Sequence, residues 1–361
     1  MKPREEIIPV REAHRLNVAA LAEYLQKELK GFSGELTVHQ FGYGQSNPTF
    51  LLTAGGKEYV LRKKPPGTLL PSAHAVDREY RIIKAMKAAN VPVPEPYLLC
   101  SDDSVIGTAF YVMERVQGRI FRDPTASEVR DPQERSQIFE ALNETLAKIH
   151  SLDWESAGLA DFGKPGNYLV RQVSRWTKQY EASKTEAMES MDRLIRWLRE
   201  NIPGDDTTTV VHGDYRLENT IVHPSEPRIL AVLDWELSTL GHPLADLAYN
   251  CLFYHLPATG ALGSGYQGLK LSELGIPSEA DYVAAYCRRT GRKVPSDWTF
   301  FIAFSLFRLA AIVQGVYKRG LDGIASSDHA RRYGAYAHFL ADTAWRLVAE
   351  NHATFSISSA L

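Results

Sequence analysis

Val210-Val211-His212-Gly213-Asp214-Tyr215-Arg216-Leu217-Glu218-Asn219, followed by Arg228-Ile229-Leu230-Ala231-Val232-Leu233-Asp234-Trp235-Glu236 and then Asp246, decides how this chain reads. Each β-rich apolar run leads to an acid, and an amide stands five residues after the first. Phosphoryl transfer asks little covalent work of a protein and much positioning, so a single carboxylate that accepts the nucleophile's proton is its expected centrepiece. Asp214 fits that place. Asn219 can fold back so that its neutral amide oxygen joins a magnesium shell, and Asp234 can bridge the metal to phosphate oxygens. Arg216 is a supporting cation for the equatorial oxygens of a phosphoryl group in transfer. The catalytic set is therefore read as Asp214, Arg216, Asn219 and Asp234, with Asn219 and Asp234 as metal ligands.

Taken singly, an Asp or Asn in a loop caps a helix or closes a turn far more often than it performs chemistry. The joint spacing carries the reading. His212 is expected to brace the loop from a buried position, and Asp246 to tie it down by hydrogen bonds. Zinc is excluded, because His212, His223 and His242 are widely spaced and lack a clustered Cys or His pair.

The motif resembles the catalytic loop of the aminoglycoside phosphotransferase-like kinases, a small-molecule branch of the protein-kinase fold. Leu233-Asp234-Trp235-Glu236, Gly241-His242-Pro243 and Asp246-Leu247-Ala248 resemble that family's metal-binding segment. Phe41-Gly42-Tyr43-Gly44-Gln45-Ser46-Asn47-Pro48-Thr49-Phe50, Val60-Leu61-Arg62-Lys63-Lys64-Pro65-Pro66-Gly67 and Tyr111-Val112-Met113-Glu114-Arg115-Val116-Gln117-Gly118-Arg119 are similar to the kinase domain fused to acyl-CoA dehydrogenase family members 10 and 11. The similarity runs from about residue 12 to the end. It implies an α+β, bilobal, protein kinase-like fold: a nucleotide-binding lobe with a leading helix over 1–115, and a catalytic and substrate-binding lobe over 116–361. It also implies ATP and magnesium as cofactors and, as acceptor, the hydroxyl of a 4-hydroxyacyl-CoA thioester.

Alternating segments near 35–42, 49–54 and 58–63 predict a twisted antiparallel sheet, and 75–89 a helix. Gly44, Gln45, Ser46 and Asn47 lie between the first two strands, where small and polar residues let backbone N–H groups approach phosphates. An ordinary hairpin turn is the alternative. The third strand places Arg62 where protein kinases carry lysine, and arginine's fork can serve the same phosphates. Strand alternation puts Lys64 on the same face as a substitute, while Glu79 resembles the carboxylate that holds this cation. By resemblance, the Glu114 carbonyl and the Val116 N–H hold the adenine edge, and Met113 lines the pocket. A further strand is expected over 108–113, and Gly118 lets the chain turn into the larger lobe.

Composition suits such an enzyme: 361 residues, 44% hydrophobic, with a formal net charge of −2 that argues against nucleic acid as a partner. No tract of 18 apolar residues is present, the start does not read as a signal peptide, and Cys100, Cys251 and Cys287 form no CxxC. A cytoplasmic protein with reduced thiols is expected.

Helices are expected at roughly 133–151, 167–200, 244–255, 278–291, 296–318 and 328–350. The glycine-rich 259–268 reads either as a cover over the substrate or as a plain surface loop. From 251 to 361 there are eleven Lys and Arg against eight Asp and Glu, which suits an anionic CoA thioester better than a polycationic aminoglycoside. Arg171, Arg175 and Lys178 fall on one helix face, either to receive CoA phosphates or as a solvated charged stripe. An aminoglycoside or amino-alcohol kinase is the second reading. A silent nucleotide-binding module is the third, opposed by the intact Asp214, Asn219 and Asp234. The sequence leaves ATP against GTP and the oligomeric state open.

Overall fold

Apolar residues repeating every second position build the first of two units. The computed structural model describes residues 7–42, 47–65, 75–259, 265–322 and 330–358. The first unit comprises Met1–Arg119, Thr220–Ser225 and Ile229–Ser238, and the second Ile120–Asn219, Glu226–Arg228 and Thr239–Leu361. The chain runs through β1 (Ile7–Ile8), α1 (Val18–Glu28), β2 (Thr37–Phe41), β3 (Thr49–Ala54), β4 (Lys57–Lys63), α2 (Val76–Ala88), β5 (Pro96–Cys100) and β6 (Phe110–Glu114). These strands make one antiparallel sheet in the order β1-β2-β3-β4-β6-β5. β5 is an addition to the expected strands. It is only five residues long and begins at a proline, so it carries little periodic signal of its own.

Residues directly opposite one another in an antiparallel pair share a face. The registers Phe50↔Leu61 and Leu61↔Val112 therefore line up one apolar stripe, buried together with Leu21 and Leu25 of α1. Burying each such side chain stabilises the unit by about 1.5–3 kcal/mol. Asn17 starts α1 by accepting the Ala20 N–H at 3.1 Å. The other face presents Arg62 opposite Tyr111, and α2 brings Glu79 to both. Lys63, one residue on, turns to the α1 face and lies 5.8 Å from the Phe50 ring, where burial pushes its ammonium pKa down.

The second unit is mostly helical: α3 (Pro132–His150), α4 (Tyr168–Ser183) and α5 (Glu189–Glu200), then β7 (Thr209–Val211). The chain returns to the first unit for the hairpin β8 (Thr220–Val222) and β9 (Ile229–Val232). It ends in the second unit with β10 (Thr239–Gly241), paired with β7, and with α6 (Pro243–Asn250), α7 (Leu271–Leu274), α8 (Glu279–Thr290), α9 (Trp298–Leu321) and α10 (Ala330–Ser358).

The helix expected over 167–200 is two helices. The buried Gln314 of α9 donates to the Ser183 carbonyl at 2.9 Å and to Thr185 Oγ1 at 3.0 Å, satisfying the end of α4 where the chain turns. Likewise the helix expected over 244–255 stops as α-helix at Asn250, and Cys251–His255 is a 3₁₀ turn. α9 is long and apolar enough to cross a membrane by length and composition, with mean hydropathy 1.8, but 72% of that stretch is buried inside the protein. It packs against α4, α5, α6 and α10, as a core helix does.

Gly118, where the chain is expected to turn, is not among the positive-φ glycines. Its reason is close approach: a Cβ there would meet the Val222 carbonyl oxygen at 2.4 Å, beside the bond from Arg119 N–H to that same oxygen. Gly118→Ala is expected to cost about 1–3 kcal/mol by overpacking, read as a lowered urea midpoint. An unchanged midpoint would contradict this packing.

Candidate active site

β7 delivers the chain to a loop that hangs on one buried carboxylate. Asp246, in the first turn of α6, accepts the His212 N–H at 2.7 Å and the Gly213 N–H at 2.8 Å, one on each oxygen. Presenting two successive N–H groups to one side needs unusual backbone, and Gly213 supplies it with φ of 87°. His150 Nε2 lies 3.2 Å from Asp246, and His150 Nδ1 lies 2.7 Å from the Tyr286 hydroxyl. Burial pushes the His150 imidazole down and keeps it neutral, so Nε2–H donates to Asp246 and Nδ1 accepts from Tyr286. Burial alone would push the Asp246 carboxyl up. His150, His212 and the two N–H groups outweigh it and hold Asp246 below the usual carboxylate range.

The same loop aims Asp214. Its N–H donates to His212 Nδ1 at 3.2 Å, and its side chain retains 17% exposure. Asn219, closing a 3₁₀ turn over Leu217–Asn219, donates its amide to the Asp214 carbonyl at 2.8 Å and to Asp214 Oδ2 at 2.9 Å. With the amide nitrogen fixed inward by a carbonyl, the amide oxygen is the atom left for a hard cation. Arg216 Nε sits 3.4 Å from Asp214 Oδ1, and its Nη1 sits 3.4 Å from Glu218, so its charge is shared between two carboxylates. Tyr215 anchors the loop's far side through its hydroxyl on the Leu142 carbonyl, 2.7 Å away.

Two neighbours of Asp214 escaped the sequence reading. The Tyr249 hydroxyl lies close to Asp214, and burial together with that negative charge raises its pKa. Arg308 donates to the Gly213 carbonyl at 2.8 Å while its guanidinium lies 4.9 Å from the Tyr249 ring and 5.5 Å from the Trp176 ring. Nothing local marks either residue; each comes from a different helix.

In the first unit, Arg62 Nη1 lies 3.1 Å from Glu79, and Arg62 Nη2 lies 3.4 Å from Asp234. Burial opposes the Arg62 charge, but Glu79, Tyr111, Asp234 and Glu236 overcome it and raise its pKa. Burial also pushes the Glu79 carboxyl up. Arg62, the Tyr111 hydroxyl at 2.9 Å and the Asn47 amide at 2.5 Å pull the other way, and because all three donate, the carboxylate is the form that satisfies them. Asn47, expected in the phosphate loop, is buried, and its side-chain amide donates to Glu79. Asp234 holds a left-handed backbone, φ 65° and ψ 58°, uncommon for a residue with a Cβ, and its side chain is 39% exposed. That leaves a hard oxygen donor accessible beside a fixed cation.

The remaining assignments are placed as follows. Gly44, Gln45 and Ser46 lie outside the described residues. Met113 is buried on β6, and Glu114 pairs its carboxylate with the Glu95 N–H at 3.0 Å. Among the described residues no protein group accepts the Val116 N–H, whereas its carbonyl takes a bond from Arg115 at 3.0 Å. Lys64 lies beyond the end of β4, where its N–H reaches the Ala109 carbonyl at 3.4 Å.

Both clusters make predictions. Asp246→Ala strands two buried N–H groups and is expected to cost about 2–5 kcal/mol, read by urea titration. Because Asp246 is depressed in the fold, its contribution is present above the unfolded carboxylate pKa and lost as pH falls through the folded value. His150, also depressed, adds a loss that starts as pH drops below about 6.5. Asp246→Asn should flatten the lower limb of the stability–pH curve, and an unaltered limb would contradict the assignment. Arg62→Ala should cost about 3–5 kcal/mol by leaving Glu79 buried without its cation, and a smaller loss than about 1 kcal/mol would refute the pairing.

Similarity to known proteins agrees with this chemistry. The model of the phosphotransferase enzyme family (APH) matches residues 37–283. Acyl-CoA dehydrogenase family member 10 of Mus musculus is 48% identical over 338 residues, covering 93% of this chain and 32% of that protein. The chain spans roughly a third to under half the length of the curated relatives it matches. The crystal structure of a candidate aminoglycoside phosphotransferase from Ralstonia eutropha JMP134 is 47% identical, covers 93% of this chain and 99% of that one, and superposes with a TM-score of 0.86. An aminoglycoside phosphotransferase in complex with ADP and hygromycin B shares the fold at 16% identity and a TM-score of 0.57, over 91% of this chain and 98% of that one. The chain belongs to the phosphotransferase enzyme family and is a small-molecule kinase of the α+β, kinase-like fold.

Proposed function

We propose that the enzyme transfers the γ-phosphate of ATP, with magnesium, to the hydroxyl of a 4-hydroxyacyl-CoA. The observation that carries the chemistry is the Asp214 carboxylate, partly exposed and aimed by Asn219 through two bonds of 2.8 and 2.9 Å. Asp214 takes the proton of the acceptor hydroxyl as its oxygen bonds to the γ-phosphorus; the bond from that phosphorus to the β–γ bridging oxygen breaks, and ADP leaves. Arg216 neutralises charge on the phosphoryl oxygens, and Arg62, held by Glu79, takes phosphates of the nucleotide. The Val116 N–H and the Glu114 carbonyl hold the adenine edge.

Asn219 and Asp234 each offer one hard oxygen. Among the described residues no group of three or more His, Cys, Asp or Glu could hold a metal by itself. Either oxygen alone is a donor of the kind magnesium takes, since the ion binds through one or two protein oxygens and completes its shell with phosphates and water. Magnesium, when bound, would supply positive charge to stabilise the phosphate oxygens.

The acceptor assignment is supported by relatives that carry an acyl-CoA dehydrogenase name, and by the excess of basic over acidic residues from 251 onward. The testing experiment is an ADP-release assay with Mg-ATP and, in separate arms, a 4-hydroxyacyl-CoA, the free hydroxy acid and an aminoglycoside. Turnover confined to the aminoglycoside rejects the acceptor. Asp214→Asn should lower turnover by roughly 10²–10⁴ with nucleotide affinity retained, and Asp234→Ala should raise the magnesium concentration needed for half-maximal rate. Full turnover in the first variant, or an unshifted metal titration in the second, would remove that role.

A further inference from the structure

α4 carries a basic face that the chemistry above does not use. Val170, Arg171, Ser174, Arg175 and Lys178 line an open groove of about 510 Å³. Its three cations differ. Arg171 is committed, donating to the Gly166 and Lys164 carbonyls in the segment that leads into α4. Arg175 and Lys178 form no ion pair among the described residues, and Ser174, directly before Arg175, adds a hydroxyl to the same lining. Two unpaired cations, a hydroxyl and an exposed Val170 in one concavity are suited to a phosphate-bearing ligand with some apolar surface.

Ring stacking ties this groove to the reaction centre within one unit. The Arg175 guanidinium lies 5.5 Å from the Trp176 ring, and the Arg308 guanidinium lies 5.5 Å from the same ring, so the two cations are within about 11 Å of each other. Arg308 in turn holds the carbonyl of Gly213, next to Asp214. Trp176 and Arg308 thus link the helix that carries the groove to the loop that aims Asp214.

We propose that the α4 groove binds the phosphate end of the acceptor, with Arg175 and Lys178 as specificity-determining residues that hold an acceptor by a group remote from its reacting hydroxyl. This rests on the acceptor class given under Proposed function. A cation pair remote from the hydroxyl contributes to ground state and transition state alike, so it acts on KM and leaves kcat alone.

The test compares two thioesters of one 4-hydroxy acid: the CoA thioester, and the N-acetylcysteamine thioester, which has no phosphate. Arg175→Glu/Lys178→Glu should raise KM for the CoA thioester roughly tenfold or more while kcat, the KM for ATP and the KM for the N-acetylcysteamine thioester stay within about twofold. Arg175→Gln/Lys178→Gln, which removes charge without reversing it, should give the same pattern in weaker form and guards against misfolding. Equal rises for both thioesters, or no rise for either, would overturn the groove. Adenosine 3′,5′-bisphosphate binding, followed by calorimetry, gives a second readout free of turnover. The wild-type chain should bind it with an affinity that falls with salt, and the Glu variant roughly tenfold more weakly. Equal binding by both also overturns the proposal. Failure of the wild-type chain to phosphorylate either thioester, with the calorimetric difference intact, would instead reject the acceptor and keep the anion site.

Discussion

One buried carboxylate organises the catalytic loop. Asp246 gives an oxygen to each of two successive N–H groups, and everything that aims Asp214 follows from where those two peptides are held. A buried anion is expensive unless every lone pair finds a donor, and here the backbone and a neutral His150 supply them. Gly213 makes the geometry possible, because a left-handed residue lets consecutive N–H groups converge. The loop is accordingly rigid where it must be, and Asn219 closes its other end on the Asp214 main chain and side chain together.

The first unit solves a different problem with the same kind of parts. Arg62 is a strand residue opposite Tyr111, and both face Glu79 across the sheet surface that α2 covers. A mobile lysine would hold a phosphate as a point charge. An arginine clamped by one carboxylate keeps its second nitrogen directed at Asp234 and is pre-organised for a planar, two-oxygen contact. The neighbouring Lys63 cannot take over, because strand alternation sends it to the Phe50 face.

Much of this was legible in the chain itself. Period-two segments marked β2, β3, β4 and β6 to within a few residues, and the Asp214, Asn219 and Asp234 spacing pointed to phosphoryl transfer. What stayed hidden depends on contacts far apart in sequence. Gln314 ends α4 from another helix, so the amphipathic run through 167–200 gave no sign of its break. Tyr249 and Arg308 reach the Asp214 loop from α6 and α9, and neither sits in a motif. The bond from the Asn47 side chain to Glu79 was hidden in the same way, because its partner lies 32 residues on.

The central claim is that this chain joins the terminal phosphorus of ATP to an alcohol oxygen by way of Asp214. The most direct measurement supplies ATP labelled with ¹⁸O in its γ-phosphate and identifies the labelled product by mass spectrometry. Label in a phosphate monoester at the acceptor's hydroxyl, formed roughly 10²–10⁴ more slowly by Asp214→Asn, is the expected result. Label found only in inorganic phosphate, or an ester formed equally well by the variant, would contradict the account.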